Sequence, residues 1–169
     1  KRLDHFAIRC YDRHKSAQIF IDLFGYKIVE EFKPFDNVNC CVLQPPRVFP
    51  ENPYMLLSFN DEEYHLPPEI FISDGSPDSI VGKWVWKKGQ GIHHVAYITD
   101  DIYRTIDECK KLGYEFSSEG PISCEGLTQI FTKPLWSLGG LVIEFIERQS
   151  KGFCKDNVRD LMLSTDTKE

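Results

Sequence analysis

With 169 residues, 41% of them hydrophobic and 27% charged, the chain has room for one ordinary domain with a real core. Its formal net charge of −6 argues against a general polyanion binder such as a nucleic-acid protein, which needs clustered Lys and Arg. No apolar run approaches the ~20 residues of a membrane span, and nothing at the start reads as a signal peptide. Six cysteines without a CxxC pair support neither a zinc knuckle nor a thioredoxin-like centre. Cys10, Cys40 and Cys109 fall in apolar-periodic segments, where a thiol behaves as a small hydrophobe, so the expectation is reduced thiols in a cytoplasmic protein.

In chain order, Leu3 to Arg9 is a strand interrupted by His5. Lys15 to Phe24 places Ala17, Phe20, Ile21 and Phe24 on one helix face, and Gly25 ends it. Tyr26 to Phe32 and Asn39 to Leu43 read as strands. A proline-broken passage follows, in which Met55 to Phe59 is a short strand or a lid segment, and Glu69 to Ser73 is a further strand. Residues 3–76 therefore form a β-α-β-β-β module, and 77–90, with Trp84 and Trp86, a linker.

The same order then repeats over residues 91–148. His93 to Thr99 is a strand, Asp100 or Asp101 caps a helix, and Ile102, Ile106, Cys109 and Leu112 line one face of it up to Gly113. Tyr114 to Ser117, Leu127 to Lys133 and Gly140 to Glu147 complete three strands. The register nearly holds: Leu3-Asp4-His5-Phe6-Ala7-Ile8 corresponds to Ile92-His93-His94-Val95-Ala96-Tyr97, and, with a shift of one residue, Leu23-Phe24-Gly25-Tyr26 to Lys111-Leu112-Gly113-Tyr114. An internal repeat of this kind implies two similar modules packed as one α+β domain with a mixed sheet. Residues 149–169 form a tail with a possible lid helix.

Strand alternation puts His94, Ala96 and Ile98 on one face and Val142, Glu144 and Ile146 together on another. A carboxylate amid Leu141 to Ile146 is costly to bury alone, and His5 is likewise set in an apolar strand. A strand histidine by itself is more often a hydrogen-bonded core residue than a ligand. His5 and His94, however, hold equivalent places in the repeat, so His5, His94 and Glu144 are the candidate ligands of a divalent metal in a two-histidine, one-carboxylate set. His93, on the opposite face, is expected to pack on the outer helix. His14 and His65 are read as solvated, and Asp61-Glu62-Glu63 as a solvated loop.

The paired modules with His5, His94 and Glu144 resemble the vicinal oxygen chelate superfamily, from Leu3 to about Ser164. The resemblance implies a metal held in a cup formed by two curled half-barrels, a small-molecule substrate and a homodimer. Gly91-Ile92-His93-His94-Val95-Ala96, Asp100-Asp101-Ile102, Ser76-Pro77-Asp78-Ser79 and Gly139 to Glu144 are similar to methylmalonyl-CoA epimerase. Leu127-Thr128-Gln129-Ile130-Phe131-Thr132-Lys133-Pro134 and the tail Gly152-Phe153-Cys154-Lys155-Asp156-Asn157-Val158 look like the catalytic half of 4-hydroxyphenylpyruvate dioxygenase. In that branch Gln129 would contact substrate, Phe153 would pack over it, and the tail would close the site. Epimerases and glyoxalases place a fourth ligand on the last strand of the first module, here Phe71 or, with one shift, Glu69.

The resemblance thus implies a dioxygenase-like oxidoreductase using Fe(II) on a 2-oxo acid or enol. The alternative is an epimerase or glyoxalase in which Co, Mn, Zn or Ni acts as Lewis acid and Glu144 or Glu69 moves the proton. A metal-free binding protein is the third reading.

Overall fold

A computed structural model describes residues 2–46, 68–124, 126–149 and 152–166. Eight strands form a single mixed, curled sheet in the order β2-β3-β4-β1-β5-β8-β7-β6. The first four are β1 (Arg2–Arg9), β2 (Lys27–Phe35), β3 (Val38–Gln44) and β4 (Glu69–Gly75). The second four are β5 (Gly91–Ile98), β6 (Ile122–Cys124), β7 (Leu127–Phe131) and β8 (Val142–Arg148). Each module contributes one half with the same pairing logic: β1 runs parallel to β4 as β5 does to β8. The halves join through antiparallel β1 and β5, so the two strands carrying the repeated histidine lie side by side at the centre. Pro34 sits in β2, an edge strand, where a missing N–H is tolerated.

Helix α1 (Arg13–Phe24) starts where the Asp12 carboxylate accepts from the N–H groups of His14 and Lys15. It ends at Gly25, whose φ of 70° is the left-handed conformation glycine adopts freely. With α3 (Ile102–Lys111), capped by Asp101, it covers one face of the sheet. Under α1 lie Cys41, Leu43, Ile70 and Ile72; under α3 lie Ile130 and Phe116. Each fully buried Leu or Ile contributes roughly 1.5–3 kcal/mol.

Two further helices lie on the other face. The stretch expected as a linker contains α2 (Ile80–Lys88), capped by Ser79, with Val81 and Val85 buried against Ala7, Val38 and Phe71. Gly82 is needed there, because a Cβ would meet the Ser76 carbonyl oxygen at 2.0 Å. Nine residues with only two buried positions left too short an apolar pattern to separate from a loop. The tail forms α4 (Lys155–Ser164), with Val158, Leu161 and Met162 turned onto the sheet.

Two expectations are corrected. Tyr114 to Ser117 makes only a bridge from Phe116 to Thr132, and the second strand of the second module is instead β6. The cysteines are not all thiols: Cys124 of β6 and Cys154, the residue before α4, are joined as a disulfide with Cα atoms 6.6 Å apart. Cys10, Cys40, Cys41 and Cys109 take part in no disulfide. Met55 to Phe59, His65 and Asp61 to Glu63 lie outside the described residues. Among those described, no helix is long and apolar enough to cross a membrane.

Candidate metal centre

Three neighbouring strands present the three proposed ligands to one point. In the sheet His5 stands opposite Ala96, and Ala96 opposite Glu144, so the three form a row with the smallest side chain at its middle. His94 sits two pairs along, opposite Ala7 and Val142. The alanine methyls leave the space that the longer side chains lean into. Nε2 of His5 is 3.3 Å and Nε2 of His94 3.1 Å from Oε2 of Glu144, and the two nitrogens are 3.4 Å apart. All three residues are buried.

The free ring nitrogens are accounted for. Nδ1 of His5 lies 2.7 Å from Oδ2 of Asp4, which fixes the ring with Nε2 turned to the centre. Nδ1 of His94 lies 2.9 Å from Nδ1 of His93. Burial disfavours the His5 imidazolium, yet the Glu144 and Asp4 carboxylates outweigh it and push His5 up to about 9. Burial also disfavours the Glu144 carboxylate, but His5 and His94 hold its carboxyl well below the usual range. His94 is moved down, by burial first, and His93 well down, by burial and then by Arg9. An ionised carboxylate, a neutral imidazole and an imidazolium whose proton a cation displaces are a donor set suited to a divalent ion. This is the single such cluster of three or more His, Cys, Asp or Glu among the described residues.

Gln129 donates through Nε2 to Oε1 of Glu144 at 2.6 Å. Asn157 of α4 donates to Oε1 of Gln129 and to the Leu127 carbonyl, both at 3.2 Å. Phe153 packs edge-on against His5, ring centres 5.0 Å apart, and against Phe71 at 5.1 Å. Phe71 therefore lines the cavity beside Ala7, its register partner. Glu69 is opposite His5 on β4, but its carboxylate accepts from Gln44 at 2.9 Å and lies 3.7 Å from Nη2 of Arg148, outside the ligand cluster.

His93 departs from the expected outer face. The β1–β5 register jumps from Ala7–His94 to Ile8–Ile92, leaving His93 as the unpaired residue of a bulge. Its ring turns to the cavity, 5.6 Å from Trp84 and 6.1 Å from Phe131. Trp84 is half-buried, whereas Trp86 and Trp136 are largely exposed, so neither lines this cavity. His14 is exposed and pairs with Glu31.

Several neighbours of the cluster were not singled out from sequence: Asp4, Asn157, Arg148 and Arg9. Asp4 directly precedes His5, a proposed ligand, and Arg148 follows Glu144 by four residues, which is the signal available for them. Arg9 shares the inward face of β1 with His5 and Ala7 at the same period-two spacing.

Comparison with known proteins adds the following. Residues 4–131 match the family model described as the glyoxalase/bleomycin resistance protein/dioxygenase superfamily. A search of curated proteins finds no match. Among solved structures, a variant of Streptomyces coelicolor methylmalonyl-CoA epimerase in complex with 2-nitronate-propionyl-CoA is similar, with a TM-score of 0.65 at 20% identity over 89% of this chain and 99% of that one. The Mycobacterium tuberculosis methylmalonyl-CoA epimerase has a TM-score of 0.65 at 19% identity, over 88% and 89%. A hypothetical protein of Bacillus halodurans has 0.65 at 22%, over 90% and 98%. At such identities the likeness establishes the fold alone.

Proposed function

Because the chain belongs to the glyoxalase/bleomycin resistance protein/dioxygenase superfamily, we propose that it is a metal-dependent enzyme, a dioxygenase-like oxidoreductase acting on a small 2-oxo acid or enol. His5, His94 and Glu144 would hold the divalent ion, Fe(II) in the favoured case. The observation that supports this reading is a three-donor cluster beside which Phe71 lines the cavity, while the Glu69 carboxylate is engaged by Gln44 and Arg148. Bound there, Fe(II) supplies Lewis acidity and electrons for dioxygen chemistry.

The remaining work falls to the chain itself. Gln129 fixes the orientation of the Glu144 carboxylate and is placed to contact a substrate head. Phe71 and Phe153 wall the cavity with apolar surface and keep bulk water from it. Helix α4 covers the cavity through Val158, Leu161 and Met162 and is held to Gln129 by Asn157.

A second reading is proton-transfer chemistry of the epimerase or glyoxalase kind. Glu69 favours it, since it sits on the same face as His5 at a paired register position, where release from Gln44 and Arg148 would free a base.

Anaerobic loading with Fe(II) followed by nitric oxide separates the readings. A stoichiometric iron–nitrosyl EPR signal, absent from Glu144→Ala, supports the open three-donor site. Tight Co, Mn, Zn or Ni binding without that signal transfers the assignment to the second reading. Absence of stoichiometric metal sinks both and leaves a binding protein.

A further inference from the structure

Arg9 is the last residue of β1 and only 4% exposed. It lines the same cavity as His5 and Glu144, next to Ser73 and His93, with its guanidinium carbon 5.6 Å from the centre of the Trp84 ring. Among the described residues its side chain makes no hydrogen bond and no ion pair. None of its side-chain nitrogens is fully buried without a partner, and the residue lines the cavity. The groups that act on its charge are the Cys40 thiol and the Asp166 carboxylate, neither within ion-pair distance. Burial lowers its pKa to about 10, which leaves the group a cation at neutral pH.

An arginine is seldom this buried without an acidic partner, because its charge loses hydration that nothing restores. Stacking on Trp84 offsets part of that loss but uses none of the five N–H donors. What satisfies such a fork is a planar oxyanion that accepts two parallel hydrogen bonds. His93, on the bulge, lines the same cavity but is an imidazole and offers no negative charge.

We propose that Arg9 seats an anionic group of the substrate, a carboxylate at the end remote from the metal-binding head. The substrate class is then a small organic acid with two acidic or chelating ends, rather than a 2-oxo acid with an apolar tail. The Cα atoms of His5 and Arg9 are about 13 Å apart at ~3.3 Å per strand residue, and both residues line the cavity. The inference rests on the reading of His5, His94 and Glu144 as the site of the head group.

The test is equilibrium binding to Mn(II)-loaded protein of 2-oxoglutarate, 2-oxoadipate and 2-oxopimelate, each against the monoacid of the same chain length. At least one diacid should bind about tenfold or more tightly than its monoacid, the range of a charge-assisted pair. Arg9→Met should abolish that preference while leaving monoacid affinity within about twofold. Apo Arg9→Met should melt no lower than the wild type, since it removes an unpaired buried charge, and this melting curve also verifies folding. Equal binding of every diacid and its monoacid, or a preference that survives Arg9→Met, overturns the proposal. Failure of all the 2-oxo monoacids to bind sinks the metal-head reading instead, whereas an Arg9-dependent preference for diacids would still stand.

Discussion

Arg148 holds Asp4 at two points, Nε 3.1 Å from Oδ1 and Nη2 3.0 Å from Oδ2, and the same carboxylate meets Nδ1 of His5 at 2.7 Å. Its Nη1 donates to the Gly152 carbonyl at 2.5 Å, and its guanidinium carbon lies 4.7 Å from the Phe153 ring centre. A single cation therefore connects the orientation of one proposed ligand to the segment leading into α4. Arg148→Lys cannot make the forked contact and the carbonyl bond together. The expected result is about tenfold weaker Co(II) binding in a chelator competition and faster tryptic cleavage around Lys155. Unchanged affinity would show the Asp4 contact to be incidental to the centre.

Glu144→Gln keeps the shape of the side chain and its contact with Gln129 while removing the charge that draws His5 and His94 together. Bound divalent metal should fall from stoichiometric to undetectable by elemental analysis, with the far-ultraviolet circular dichroism unchanged. Retained metal would move the centre elsewhere.

Asn157 is buried and spans α4 and β7. In Asn157→Leu the Leu127 carbonyl and Gln129 Oε1 lose their donor, a loss of about 1–3 kcal/mol for each buried group left unpaired. Urea unfolding should show a destabilisation of about 2 kcal/mol, accompanied by greater hydrogen exchange in α4. A neutral effect would mean that water replaces the amide.

Thiol reactivity should separate the six cysteines. Burial pushes Cys41 up to about 12 and Cys40 higher still, and Cys10 is also moved up by burial. In native protein only Cys109, which is half-buried, should react with a disulfide reagent on the minute scale. Mild reduction should add Cys124 and Cys154, and denaturation all six. Fast labelling of three or more thiols before reduction would contradict the Cys124–Cys154 pairing.

Lys133 pairs with Glu115 across the bridge region and lowers the Glu115 carboxyl from its ordinary 4.5. A carboxyl depressed on folding stabilises above the unfolded value and ceases to do so as pH falls through the folded one. The melting difference between the wild type and Glu115→Gln should therefore be present at pH 7, shrink below about 4.5 and be reduced by salt at every pH, because both side chains are exposed. A difference that grows on acidification would reverse this sign.

His5, His94 and Glu144 could be placed from sequence because a repeat maps one strand onto another, and polar residues in apolar strands have few uses. Their convergence is seen once β1, β5 and β8 are known to be adjacent. His93 could not be placed, because alternation assumes an unbroken strand and a bulge reverses the side on which one residue emerges. The Cys124–Cys154 bond joins residues on separate elements, and spacing carries no information on such a contact. Arg9 and Arg148 read as ordinary charged residues at strand ends; only burial distinguishes them. Helix α2 was hidden by brevity, and the fourth corner by a choice between Glu69 and Phe71 that needed side-chain directions.

The position of β1 between β4 and β5 has a bearing on biosynthesis. Because β1 is made before β4, β5 and β8, it can pair on one side with β4, but its other edge stays open until β5 is made, and Glu144 arrives later still. A nascent first module thus carries an unpaired strand edge with His5 and Arg9 uncovered. Capture of the proposed metal would, on this topology, be a late event that reports completion of both halves, and a chain arrested before β8 would need shielding rather than a cofactor.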